Sequence, residues 1–434
     1  MKVTVPIKTL RHVAAAIAAF YQRSPLPGWP LRIEANGSSI TMSAQCLAGY
    51  LAATVPCHVG TGGSATVDMR HMNTAIKAFQ EDVTIHGASQ SITVRSGGRA
   101  VRIPKLTSEV IAPDLRSPIW TGTLTRADLK AITTAVLTIQ RPSEENTQYV
   151  TDVWINIAGD KLSTFSTDSH RLGVSSLQVQ PEPSSEEQVS FSIPKSAFRV
   201  LSVLLPVSED TIQMKVYKIA NGGYLLLFGI TAGDGSTVSV ALTASSDEGW
   251  QKLRKGVEKY LNYPAENVVS ATIASSAFQQ ALRQVVAVTT RSRVVMLHLG
   301  KPSLIASFDE NLSIAEQLQV QSDQEITLCF NAGYLLDAVK YCTDEEIVLS
   351  SVKGANTPLL FSNSSSPKEV RYLTAAAHAP ALVSRLDEAK QLLLGGPVEV
   401  LDESAEHIEL VSSLESDEAE HKPGDAEVAV CAED

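Results

Sequence analysis

The sequence predicts an α+β fold built from three copies of one domain, and three observations point to it. The chain has 434 residues, room for about three domains at about 150 residues each. Six windows carry apolar residues at three- and four-residue spacing, the mark of helices that bury one face: residues 7–23, 69–80, 125–141, 195–205, 275–293 and 331–342. Between them, segments such as 32–34 with 39–42, 91–95, 153–157, 223–229, 294–299 and 345–350 alternate apolar and polar residues, as half-buried strands do. Two helices and several strands thus recur roughly every 120 to 150 residues. Cuts near Pro118 and near residues 264–267 divide the chain into 1–118, 119–264 and 265–379, with a remainder 380–434.

The elements follow in order. Val3, Thr4 and Val5 form a first strand, and Leu10, Val13, Ile17 and Phe20 then recur at helical spacing. Lys2, Lys8 and Arg11 ahead of an apolar stretch imitate a secretory signal, but Tyr21-Gln22-Arg23 stands where a small-residue cleavage site would be. Gly60-Thr61-Gly62-Gly63 has no Gly-Lys-Ser/Thr after it and reads as a turn, not a phosphate cradle. Trp29, Trp120, Trp154 and Trp250 are expected in cores or interfaces. After Pro380 the chain turns acidic and poor in aromatics, so most of it is expected to be disordered, with 382–394 able to form a short amphipathic helix.

Composition excludes several classes. No apolar run reaches the roughly 20 residues needed to cross a bilayer, so no membrane association is expected. Cys46, Cys57, Cys329, Cys342 and Cys431 are odd in number and form no CxxC pair, which argues against a disulfide framework or a thiolate zinc site and for a reducing cytoplasm. The nine histidines show no HxxxH or HExxH spacing, so neither a metal nor another cofactor is expected. Asp168, Ser169 and His170 have the residue types of a hydrolytic triad, but adjacent side chains diverge and cannot form its geometry. No enzyme is expected.

Charge is the informative quantity. The net charge of −11 resides in the end of the chain, where residues 381–434 hold 15 acidic groups against Arg385, Lys390 and Lys422. The rest is close to neutral, with its cations on the helical windows: Lys8, Arg11, Arg23, Arg70, Lys77, Arg126, Lys130, Arg141, Lys195, Arg199, Arg283, Arg291, Arg293 and Lys340, opposed by Asp128 and Asp337. If these helices share one surface, that surface is positive and the outside negative. Such a surface holds phosphates without reading bases.

The segment Phe165-Ser166-Thr167-Asp168-Ser169-His170-Arg171-Leu172 resembles the A-T-D-G-H-R-L motif of the bacterial β sliding clamp family, the processivity factors of DNA polymerase III. Val94-Arg95-Ser96-Gly97 is similar to that family's first-domain strand ending, and Phe330-Asn331-Ala332-Gly333-Tyr334-Leu335-Leu336-Asp337-Ala338-Val339 to its last-domain helix. The resemblance covers about residues 1–378. It implies three clamp domains per chain, each with two helices on antiparallel sheets, and a head-to-tail homodimer closing into a six-domain ring around double-stranded DNA. It also implies a cytoplasmic, nucleoid-associated protein. The DNA-facing residues implied by charge and position are Arg23, Arg70, Lys77, Arg126, Lys130, Gln148, Tyr149, Lys195, Arg199 and Arg283. A hydrophobic pocket for short peptides of the polymerase III catalytic subunit, the clamp loader and other clamp-binding proteins is implied at Val150, Thr167, His170, Arg171, Leu172 and Leu373.

The chain departs from the family pattern at Ser169, where glycine is usual, at Trp250-Gln251-Lys252-Leu253, which lacks a proline, and at Thr374-Ala375-Ala376-Ala377-His378, where the family normally ends. Gln391-Leu392-Leu393-Leu394 resembles the start of a clamp-binding peptide, so the tail could visit its own or a neighbour's pocket. The alternative function class is a clamp-like scaffold or regulatory paralogue that has lost ring closure or client binding. It would differ in being monomeric.

Overall fold

The structure, a computed structural model, describes residues 1–394 except 22–28, 47–48, 140–151, 169, 187, 196, 220–221, 246–260, 262–267, 289–292, 310–311, 321, 323, 353–356, 366–369 and 378. Helices stand at all six windows: α1 (Ile7–Tyr21), α2 (Met69–Ala78), α3 (Arg126–Thr138), α4 (Ala197–Leu204), α5 (Ser275–Val288) and α6 (Ala332–Tyr341). The spacing explains them, since α1 buries Leu10, Val13, Ile17 and Phe20 as one stripe. Each such side chain contributes about 1.5–3 kcal/mol by leaving water. Three helices begin on side-chain caps: Asp68 accepts from Arg70 N, Thr125 from Asp128 N and Asn331 from Gly333 N.

Among the described residues the strands pair antiparallel in four sheets, and the order of pairing is what positions the site. Two sheets belong to the ends of the chain. One runs His58–Thr61, Lys2–Val5, Val83–Gly87, Ser91–Ser96, Arg99–Pro104; the other runs Leu312–Gln317, Leu304–Asp309, Val294–Leu299, Ile326–Asn331. The remaining two are composite. Gly49–Pro56 pairs with Thr237–Ala244, Gly49 opposite Leu242, which joins strands of the first part of the chain to strands of the middle. Arg171–Gln178 pairs with Val370–Thr374, Arg171 opposite Thr374, which joins the middle to the last part. Gly49 lies at φ +145°, and a Cβ there would sit 2.0 Å from the Ala241 carbonyl oxygen, so the first joint depends on this glycine.

The helices make one row on these sheets, in the spatial order α2, α1, α4, α3, α6, α5, each touching the next. The α1–α4 contact spans the first joint and the α3–α6 contact the second. Trp120 and Trp154 are buried as expected, and Trp29 packs at the edge of the largest core.

The amphipathic helix expected within 382–394 is present, and residues 395–434 lie outside the described residues. Two further helices, α7 (Pro380–Val383) and α8 (Leu386–Leu394), lie on the four-stranded sheet. That sheet is apolar on both faces. Val295, Leu297, Ile305, Leu328 and Phe330 point to the helix row, and Val294, Met296, Leu304, Ala306, Phe308 and Cys329 point the other way, where Leu382, Leu386, Ala389, Leu392 and Leu393 cover them. An uncovered face of that composition would be an aggregation liability. Leu392 and Leu393 are therefore engaged with this sheet, and Gln391–Leu394 rests there in this structure, away from the joint at Leu172 and Leu373.

Candidate functional site

Each helix of the row buries its apolar stripe against the sheets, which turns its charged side outward. Lys8 and Arg11 on α1, Arg70 and Lys77 on α2, Lys130 on α3, Arg283 on α5 and Lys340 on α6 are exposed, and Arg126 and Arg199 are half-buried. Some cations are tethered. Arg70 makes a two-point contact with the cap Asp68, Nε to Oδ1 at 3.1 Å and Nη2 to Oδ2 at 2.6 Å. Arg126 bonds Asp210 at 2.9 Å and donates to the Ser208 carbonyl. A cleft of about 820 Å³ opens between α3 and the end of α4, lined by Arg126, Lys130, Ser202 and Asp210 among others. The row thus presents a long cationic strip with hydroxyls between the charges, a surface suited to phosphates.

Lys195 is a correction. It lies in the turn before α4, is 3% exposed, and donates from Nζ to the carbonyls of Ile139 (3.3 Å) and Thr167 (2.5 Å). Burial pulls its ammonium down to about 8, because desolvation disfavours the charged form. It braces the loop that follows Thr167 and cannot meet solvent or a nucleic acid. Arg23, Gln148, Tyr149 and Val150 lie outside the described residues.

The loop from Thr167 to Leu172 is built around one buried carboxylate. Asp168 is 1% exposed; its Oδ1 accepts from the His170 and Arg171 amides at 3.2 and 3.1 Å, and its Oδ2 accepts from Arg171 Nε at 2.8 Å. Thr167 Oγ1 donates to the Arg171 carbonyl at 2.7 Å. Arg171 is itself buried. It reaches through the joint to bond Asp337 of α6, donates to the Tyr372 hydroxyl at 3.4 Å, and lies 4.6 Å from the centre of the Tyr334 ring. His170 also stacks with Tyr334, with ring centres 6.1 Å apart. The strand after the loop passes over Tyr341 and Ile139 so closely that a Cβ on Gly173 would lie 2.3 Å from Ile139 Cδ1. Asp168 and His170 are thus used in building a loop, and Ser169 lies outside the described residues.

On the opposite face of the same joint, Leu172, Val174, Leu261, Leu360 and Leu373 form an apolar cluster with Phe165 against it. Leu172 and Leu373 are directly opposite each other in the register. Arg371 Nη1 donates to the Leu261 carbonyl at 3.1 Å, pinning that residue over the joint. The structure therefore brings together Thr167, His170, Arg171, Leu172 and Leu373 at one joint, with His170 at its partly exposed rim and Leu172 and Leu373 covered in its apolar part. Sequence reasoning missed Val174, Leu261 and Leu360, which share the cluster, and Tyr334, Asp337 and Tyr372, which hold the loop. The alternation after Leu172 carried a signal for Val174; the others come from distant parts of the chain.

Comparisons with known proteins agree with this geometry. Two domain models of one family match: the DNA polymerase III beta subunit central domain over residues 124–228 and its C-terminal domain over residues 262–376, together about half of the chain. The Streptomyces coelicolor beta sliding clamp is 23% identical over 403 residues, covering 89% of this chain and 98% of that protein. The fold matches the Helicobacter pylori beta clamp, solved bound to a DNA ligase peptide, with a TM-score of 0.70 and 15% identity over 87% of this chain and 100% of that one. It matches the Bacillus subtilis sliding clamp with a TM-score of 0.70 and 18% identity, over 87% and 99% of the two chains. With these matches added to the composite sheets, the helix row and the loop at Thr167–Leu172, the chain belongs to the DNA polymerase III beta subunit family, the sliding clamps that serve DNA replication as processivity factors and not as enzymes.

Proposed function

We propose that two copies of this chain close head to tail into a ring that encircles duplex DNA, and that short peptides of the replicative polymerase, the clamp loader and other clients dock at the apolar joint around Leu172 and Leu373. In this scheme the domains are residues 1–118, 119–264 and 265–379. Enclosure retains DNA without tight grip, and the exposed cations of the helix row supply a weak, salt-sensitive attraction that leaves the ring free to slide. The bound ligase peptide of the Helicobacter pylori clamp supports an analogous use of the joint here.

The observation that carries this reading is a pair of unfinished edges. Both composite joints start at the residue that closes a tight hairpin: Gly49 lies opposite Cys46, and Arg171 receives a bond from Asp168 N. Leu312 holds the same position, opposite Asp309, in the outermost strand of the four-stranded sheet. Their counterparts, Leu242 and Thr374, each stand three residues before a backbone bond to a preceding strand, Ser245 to Ser192 and Ala377 to Cys329. Ile103 stands the same distance before Leu106, which donates to Thr66, and lies in the outermost strand Arg99–Pro104 of the five-stranded sheet. Repeating the joint between two copies sets Leu312 opposite the partner's Ile103 and Glu316 opposite the partner's Arg99. The same operation sets α5 against the partner's α2, the two ends of the helix row. The contact is heterologous, and made twice it closes, leaving no edge to polymerise.

The test is loading onto nicked circular DNA by a clamp loader, followed by linearisation. Enclosure predicts a complex that survives on the circle and is lost from the linear form. Retention that ignores linearisation refutes the ring. A monomer at tens of micromolar protein also refutes it and selects a clamp-like scaffold instead.

A further inference from the structure

We propose that α8 clasps the ring-closing joint from its outer face, with the acidic first turn of α8, Asp387 and Glu388, engaging the partner copy's Arg102. This rests on the head-to-tail ring described above and adds to it a contact made by residues that follow the third domain.

The position of α8 follows from the path of the chain. After its last strand, each part of the molecule crosses a neighbouring strand at an equivalent place: Leu106 donates to Thr66, Ser245 exchanges bonds with Ser192, and Ala377 donates to Cys329. The first two crossings lead to a joint. Ile111 N reaches Gln45, at the end of the strand before Gly49, and Leu261 lies on the cluster at Leu172 and Leu373. The third crossing leads through α7, beside Ile326–Asn331, to α8, which lies over the edge strand Leu312–Gln317. The chain from Ala377 to Leu394 therefore takes the route that connects one domain to the next. What lies at the end of that route is the unfinished edge.

The chemistry of the two surfaces is complementary. Glu388 is held to Arg385 by two bonds of 2.6 and 2.7 Å, and it accepts from Ser313 Oγ at 3.5 Å. Arg385 in turn lies 4.0 Å from the centre of the Phe308 ring, which fixes the turn on the sheet. Ser313 points to the outer face, and the register that sets Leu312 opposite the partner's Ile103 sets Ser313 opposite the partner's Arg102. Arg102 points to the outer face of its own sheet, where Nε donates to Ser91 Oγ at 2.9 Å and the residue remains exposed. Arg95 is exposed on the same face of the next strand. Asp387 is exposed beside Glu388. An arginine whose remaining donors meet a carboxylate pair across a strand joint gives a charge-assisted contact that both strengthens closure and fixes its register.

The test uses the full chain in sedimentation equilibrium, with Arg102→Glu, Asp387→Lys and the two combined. Both positions are exposed, so each variant is expected to keep the wild-type far-ultraviolet circular dichroism spectrum. Each single reversal is expected to weaken the dimer about tenfold, and the combination to return to within about threefold of wild type. A dimer that ignores both reversals, or in which the two losses multiply instead of cancelling, overturns the clasp and leaves the ring standing. A wild-type chain that stays monomeric overturns the ring and the clasp together.

Discussion

Replacing Arg171 by alanine removes the cation that bridges Asp168 and Asp337 at the joint between the middle and last parts of the chain, and leaves Asp337 with Lys340 at 3.2 Å. Asp168 is 1% exposed and Arg171 8%, so the loss leaves a buried charge, and breaking a buried pair in this way costs about 3–5 kcal/mol. Two amide donors, from His170 and Arg171 themselves, survive the substitution and hold the cost toward about 3 kcal/mol. Asp337→Asn is the milder change, about 1 kcal/mol, because Arg171 keeps Asp168 and Asp337 is a quarter exposed. Asp168→Asn combined with Arg171→Met should recover part of the loss, since no buried charge then lacks a partner. Equilibrium urea unfolding measures all four proteins. Client-peptide affinity should fall with stability in Arg171→Ala, because the side chain supports the loop from beneath and does not line the rim. An Arg171→Ala protein within about 0.5 kcal/mol of wild type would refute the reasoning.

Two further outcomes follow from the same geometry. Lys195 has its ammonium depressed to about 8 in the folded chain against an ordinary value of 10.5, so the unfolded chain binds one more proton between those pH values and stability rises with pH there. The wild-type protein should therefore gain up to about 3 kcal/mol relative to Lys195→Met between pH 8 and 10.5, read as the difference between two urea-unfolding series; a flat difference excludes a depressed Lys195. Lys130→Glu and Arg283→Glu, on exposed positions of α3 and α5, should speed loss of the loaded ring from DNA and lower its salt dependence by about one unit of slope per contact removed. Unchanged slopes would mean that these helices do not face the phosphates.

The helices were legible because amphipathic spacing is a local property. Val13 and Ile17 announce a buried stripe whatever packs on it. The loop was legible as a motif, and its residues do meet at one joint. Lys195 was misassigned because a lysine at the start of a helical window looks solvated, and only the fold brings the carbonyls of Ile139 and Thr167 to its ammonium. Arg171 was assigned to the pocket by resemblance, yet its second carboxylate lies 166 positions further along the chain. The helix α8 was legible as an amphipathic stretch within a strongly acidic segment, but the sheet face that Leu386, Ala389, Leu392 and Leu393 cover was not.

Periodicity and charge placement along the chain were enough to predict the six helical windows, the half-buried strands between them and the cations on the helices, because each depends on neighbours within a few residues. The pairing of Arg171–Gln178 with Val370–Thr374, the burial of Lys195 and the seat of α8 beside Leu312–Gln317 were settled by packing between segments far apart in sequence. Burial and cross-strand register are properties of the assembled sheets, and no local stretch of residues encodes which distant partner will desolvate it.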